Sequence, residues 1–405
     1  MIIYLALPPL FAGLYIGSRF IHNEKTRQLL CALVPSVLLF LIFGLKGSSV
    51  GADSITYINA YHDLKSISSF PSESFFESLK SYNFQNEYGF ILFAQFFSKI
   101  GLPYLVFQIV IYAVICFCIF YSSWKMSTNP IFSILIFVCF TFFNFYLSGL
   151  RQSFAMALCL FAITLIVSGG RTPLRSVCYF LLIGFAAFWH KSALVFIIPY
   201  FLLGVRVNLK AFLFLIFISV FFFIFGGEMY ELINSLTSSL FDSNYGDYAP
   251  FSFGKGLSII LLVGIIIVSY CLYVDSKAKE NIILWLENKV GFYKRSQVIA
   301  DNNQNPDLDK DHNYKLFSLF IILTFVGVWL SNTNRFSISF GRIGMYFSVF
   351  AIFLLANSAE KIRNIRIKYT LLSVLFVMFY AYFIYTAIIP NYLGIGPYTI
   401  IEGTL

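Results

Sequence analysis

Residues 143–155 read Phe-Asn-Phe-Tyr-Leu-Ser-Gly-Leu-Arg-Gln-Ser-Phe-Ala. The stretch joins two long apolar runs. In its middle stands one arginine, Arg151, followed by Gln152 and a new run, 153–167. A cation at the start of an apolar helix is costly, because a helix N-terminus already carries partial positive charge. The pattern recurs twice. His190 and Lys191 precede the run 192–203, and Arg342, with Arg335 nearby, precedes 343–356. Such ends, if they share one side of a membrane, can share one anion.

The rest of the chain supplies the membrane. Of its 405 residues 59% are hydrophobic and 12% charged, with a mean hydropathy of +0.80. Repeated apolar runs near the roughly 20-residue spanning length imply an all-α polytopic membrane protein. Twelve spans are expected: 2–18, 29–45, 102–121, 131–147, 152–168, 176–189, 192–204, 211–225, 256–274, 316–330, 343–356 and 369–389. The first run has no basic segment before it and no small-residue cleavage site after it, so it reads as a retained span. All seven cysteines fall in apolar runs, with neither metal-binding spacing nor a disulfide framework. The net charge of +9 does not call for nucleic acid. Most Lys and Arg fall in one set of loops, which should be cytoplasmic. Both termini and all three odd helix starts then lie outside.

The expected organisation is one integral-membrane domain, 1–405, with three notable loops. The first outer loop, 47–101, should carry three amphipathic helices. One follows Asp53-Ser54 with Ile55, Ile58, Tyr61 and Leu64 on its apolar side; the others are 71–82 and 87–100. A second outer loop covers 227–255. The cytoplasmic segment 275–315 ends in a polar stretch, 296–313, expected to be disordered.

Arg151, Gln152, Lys191, Arg335 and Arg342 are candidates for a phosphate or pyrophosphate clamp. Helix N-termini offer free N–H groups and arginine adds a bidentate fork. The plainer alternative is interfacial cations reaching for the headgroups. His190 is a candidate general base or phosphate donor; alternatively it belongs to the aromatic belt. Asp53 and Glu87 could take a proton from an attacking hydroxyl or hold a divalent ion, or simply cap helices. No Asp-x-Asp occurs in the outer loops, and Asp307-x-Asp309-x-Asp311 reads as solvated charge, so no metal site is assigned. A flippase or other transporter, and a membrane O-acyltransferase with His190 as base, are the competing classes.

Gly51-Ala52-Asp53-Ser54 with Tyr57, Asn86-Glu87-Tyr88-Gly89-Phe90, Leu150-Arg151-Gln152 with Ala155, His190-Lys191-Ser192-Ala193 and a late arginine before Tyr346-Phe347 form an ordered set. The set resembles the EpsG-like, Wzy-type polysaccharide polymerases of bacterial inner membranes. The resemblance implies a fold like the GT-C glycosyltransferases, with interfacial helices in the first periplasmic loop. It implies two undecaprenyl-diphosphate-linked glycans, donor and acceptor, and release of undecaprenyl diphosphate at the periplasmic face. The product would be O-antigen or exopolysaccharide, made without cofactor or metal. Membrane lipid and a chain-length regulator protein are the implied partners.

Overall fold

The computed structural model describes residues 1–66, 87–241, 254–273, 306–333, 338–362, 364–389, 391 and 393–400. Among these residues every named element is a helix, and the one β-type pairing is an isolated bridge between Lys46 and Ile400. In order they are α1 (Ile2–Ser18), α2 (Glu24–Gly44), α3 (Ser54–Ser66), α4 (Tyr88–Lys99), α5 (Tyr104–Met126), α6 (Pro130–Cys139), α7 (Thr141–Ser148), α8 (Leu150–Gly169) and α9 (Pro173–Trp189). A 3-10 helix (Lys191–Ile197) leads into α10 (Ile198–Leu202). Then come α11 (Leu209–Phe241), α12 (Gly254–Tyr273), α13 (Pro306–Thr333), α14 (Ile338–Ser348), α15 (Ala351–Ala359) and α16 (Ile365–Phe383).

Several starts have a local chemical cause. Asn129 accepts from the Phe132 N–H, and Pro130 follows at the first helical position. Thr172 and Pro173 do the same for α9, and Asn23 caps α2 by accepting from Thr26. Each cap takes one backbone donor that the helix cannot satisfy itself.

Six stretches among the described residues are long and apolar enough to cross a membrane: Glu24–Gly44, Tyr104–Met126, Leu150–Gly169, Asn313–Asn332, Gly341–Ala359 and Ile365–Ile388. A seventh is α6 with α7, bent by 68° where Phe140 turns extended. The other five of the twelve expected spans fall on apolar helices of 10–17 residues, short of the length a bilayer core takes up.

Three expectations need correction. Residues 306–313, expected to be disordered, form the head of α13; the apolar body of that helix carries its order back into the polar residues. Residues 227–241, expected as loop, continue α11 past a break at Phe225. On α3, Tyr61 and Leu64 are buried as expected, but Ile55 is exposed and Tyr57 and Ala60 complete the buried side in its place. The expected helix at 71–82, residues 242–253 of the second outer loop and 274–305 of the cytoplasmic segment lie outside the described residues.

The helices gather into two compact units, Met1–Tyr200 with Leu371–Leu405, and Phe201–Thr370. In the first, α8 is buried almost all round, as a helix apolar on every side should be. It packs between α5 and α9. Thr164 Oγ1 donates to Ser122 Oγ at 2.8 Å, a polar tie of the kind that holds helices together where lipid offers no water to exclude. In the second unit α13 and α14 lie very close. A Cβ on Gly327 would sit 2.4 Å from the Ser348 nitrogen, so the absence of a side chain permits the approach.

One end of the first unit collects chain from far apart. The Gly47 N–H donates to Thr399 O at 2.7 Å, and those of Gly51 and Ala52 donate to Gly394 O and Leu393 O at 2.8 Å. Tyr4 donates to Ile395 O at 2.8 Å and Tyr398 to Ile42 O at 3.0 Å. Residues 393–400 therefore form a strap across the turn that precedes α3, and the same end carries the starts of α4 and α8.

Candidate active site

Arg151 is the second residue of α8, where the helix dipole is unfavourable for a cation. The structure answers with Glu87. That residue occupies the N-cap position of α4, yet its side chain makes no capping bond. Its carboxylate is given to neighbours instead. Oε2 accepts from the Arg151 guanidinium, and Oε1 lies 2.5 Å from His190 Nδ1. The three side chains keep 13% to 24% of their surface open. A ligand can reach them, while the protein shields the charges enough to strengthen their interaction.

His190 is held from both sides by its backbone. It ends α9, donating to Ala186 O at 2.9 Å, and starts the 3-10 helix by accepting from Ala193 at 3.0 Å. Nδ1 is the ring nitrogen that faces the carboxylate, which leaves Nε2 turned away from it. A carboxylate this close to an imidazole nitrogen can favour its protonated form.

Beneath the three groups lies an aromatic floor. Trp189 is fully buried, with Phe154 at 4.1 Å and Phe93 at 5.3 Å between ring centroids. Gly89 touches it so closely that a Cβ would fall 2.6 Å from Trp189 Cδ1 and 2.9 Å from Phe188 O. The glycine two residues after Glu87 therefore lets α4 reach the end of α9 and brings the acid to the histidine. On the other side the Tyr57 ring lies 5.7 Å from the Arg151 guanidinium carbon. Burial pushes the Tyr57 phenol up, against the opposing pull of Arg151.

Asp53 stands on the turn before α3, its N–H 3.4 Å from Ser148 Oγ. Its charge favours the protonated forms of Lys46 and Tyr57. Gly51 has φ +96°, and a Cβ there would meet Leu147 O at 2.4 Å; only glycine fits both the conformation and the gap. Gln152 is buried beside Arg151, and Lys191 is exposed at the first position of the 3-10 helix. Arg342 belongs to the second unit. It is exposed, and it is the fifth residue of α14 rather than a residue ahead of it. Arg335 lies outside the described residues.

The structure thus brings together Glu87, Arg151 and His190 from three separate helices. Both carboxylate oxygens of Glu87 are taken up by nitrogen groups, a set better suited to proton traffic and anion binding than to a cation. Sequence reasoning overlooked Lys46 and the strap 393–400. Lys46 follows an apolar run and looked like any residue at a helix end. The strap has no pattern of its own.

No curated protein and no solved structure matches the chain. The model of the EpsG family matches residues 29–400, a range that contains every residue of the cluster and all but the first of the long apolar helices' opening residues. The chain belongs to the EpsG family, a Wzy-like polymerase family.

Proposed function

We propose that the protein is a membrane glycosyltransferase that joins undecaprenyl-diphosphate-linked oligosaccharide repeat units into O-antigen or exopolysaccharide. Family membership supports a polysaccharide polymerase. One observation carries the chemical reading: Glu87 bridges Arg151 and His190 at the ends of three helices. In this reading a hydroxyl of the acceptor glycan attacks the anomeric carbon of the donor. Its proton passes to His190 Nε2, while Glu87 steadies the imidazolium that forms. The bond between the anomeric carbon and the diphosphate breaks, and undecaprenyl diphosphate leaves with the electron pair. Arg151 and Gln152 meet the developing negative charge, with Lys191 as a further cation; Arg335 and Arg342 remain candidate anion-binding residues by their sequence setting alone. Asp53 is the second acid–base candidate. Protein cations neutralise the leaving group in this scheme, so no metal is required.

The same reading places the cluster at the periplasmic face of the bacterial inner membrane, because most Lys and Arg fall in the opposite set of loops. Each of the twelve spans read from the sequence coincides with a long apolar helix, the bent pair or a shorter apolar helix. That supports a twelve-span chain, and the shorter helices α9 and α11 turn apolar side chains such as Leu174, Leu181, Phe214 and Phe217 outward, as lipid-facing helices would. Helices α3 and α4 correspond to the interfacial helices of a GT-C-like architecture. A transporter would concentrate such groups at mid-span, whereas these stand at helix ends. An O-acyltransferase would use the histidine but leave Arg151 without a task.

The test is reconstitution in vesicles with one defined lipid-linked repeat unit. Glycans of two or more units, with stoichiometric release of undecaprenyl diphosphate and full activity in EDTA, are expected. Translocation of the lipid-linked unit without elongation would replace the polymerase by a flippase.

A further inference from the structure

Lys46 follows α2 and is 3% exposed. Its ammonium has three donors, and the protein supplies three acceptors: Val50 O at 2.8 Å, Leu147 O at 2.7 Å and Ser54 Oγ at 2.5 Å. The Ser54 hydroxyl in turn donates to Val50 O at 2.6 Å. None of these acceptors is a carboxylate. Burying a cation among neutral groups is costly, so plain packing does not account for a lysine here.

The acceptors come from two segments. Val50 and Ser54 bracket the turn that holds Gly51 and Asp53. Leu147 lies at the C-terminal end of α7, where carbonyls lack helical partners and a cation is favoured. It is also four residues before Arg151. Beyond Ser54, α3 carries the Tyr57 ring to 5.7 Å from the guanidinium carbon of Arg151. One ammonium thus ties together the backbones on both flanks of Arg151.

We infer that Lys46 is a positioning residue, which locks the turn 50–54 to the α7–α8 junction and so fixes the guanidinium of Arg151 for the diphosphate. The inference rests on the proposed role of Arg151. A lysine that merely stabilised the fold would change the amount of folded protein and not the rate of each folded molecule.

The test compares full-length wild type with Lys46→Met in vesicles, by amide hydrogen exchange and by elongation kinetics per folded molecule. Exchange in 47–54 and 145–152 should rise about tenfold. The kcat should fall about 10- to 100-fold, as misplacing a reacting group predicts. Ser54→Ala removes one acceptor and keeps the charge; a smaller rise in exchange and a fall of about threefold in kcat are expected, and this variant decides if Lys46→Met does not fold. Unchanged exchange overturns the lock. Raised exchange with unchanged kcat overturns its bearing on Arg151. If wild type fails to elongate, the proposed function falls, and the exchange measurement still judges the lock.

Discussion

Two arginines occupy the same sequence setting and meet different surroundings. Arg151 and Arg342 each stand beside a long apolar run, and each looks like a cation placed ahead of a helix. Arg151 is answered by a carboxylate, an imidazole beyond it and a buried tyrosine ring. Arg342 is exposed, one turn inside α14. The comparison teaches that sequence setting alone does not say what a cation at a helix end will meet; at Arg151 a distant segment brings the carboxylate. For Arg151 that segment is the start of α4, set in place by Gly89 against Trp189.

The contrast can be broken by substitution. His190→Ala should have the largest effect, a fall in kcat of about 10²- to 10⁴-fold, the usual contribution of a general base. Arg151→Ala should cost about 10²- to 10³-fold, as does removal of one donor to a developing anion. Arg342→Ala should cost far less, about tenfold and mostly in KM, or about 1.4 kcal/mol. Kinetics with a lipid-linked repeat unit rank the three. Equal losses at Arg151 and Arg342 would erase the distinction drawn between them.

Two smaller effects sharpen it. Gly89→Ala forces a Cβ into Trp189 and Phe188 O. It should destabilise by about 1–3 kcal/mol, the usual cost of overpacking, and lower the melting temperature. The other effect concerns the cation that has no carboxylate in contact with it. Burial pushes Lys46 down to about 7, with Asp53 opposing. Below that value both folded and unfolded chains hold the proton. From about pH 7 to about 10.5, the unfolded chain binds the proton and the folded chain sheds it. Stability should therefore rise with pH across that window. Denaturant titrations should show the rise shrinking in Lys46→Met.

The contributing side chains were legible in the sequence, and their meeting was not. Arg151, His190 and Glu87 each stood out as a polar group at the edge of an apolar run. Residue 87 is 64 positions from residue 151, and no periodicity reports a contact at that distance. Local chemistry was read too narrowly in α3, where Tyr61 and Leu64 are buried as expected but hydrophobicity favoured Ile55 over Tyr57. Composition misled at 306–313, because a polar stretch gains order when an apolar helix continues it. Apolar runs located the helices well, but they overstated how many are long enough to cross unaided.

The strap 393–400 has a bearing on biogenesis. Gly47, Gly51 and Ala52 find their backbone partners more than 340 residues later. During synthesis the early helices enter the membrane while those amides still lack their final acceptors. The turn before α3 is thus completed among the last steps of assembly, and a nascent chain lacks these ties while most of it is still being made.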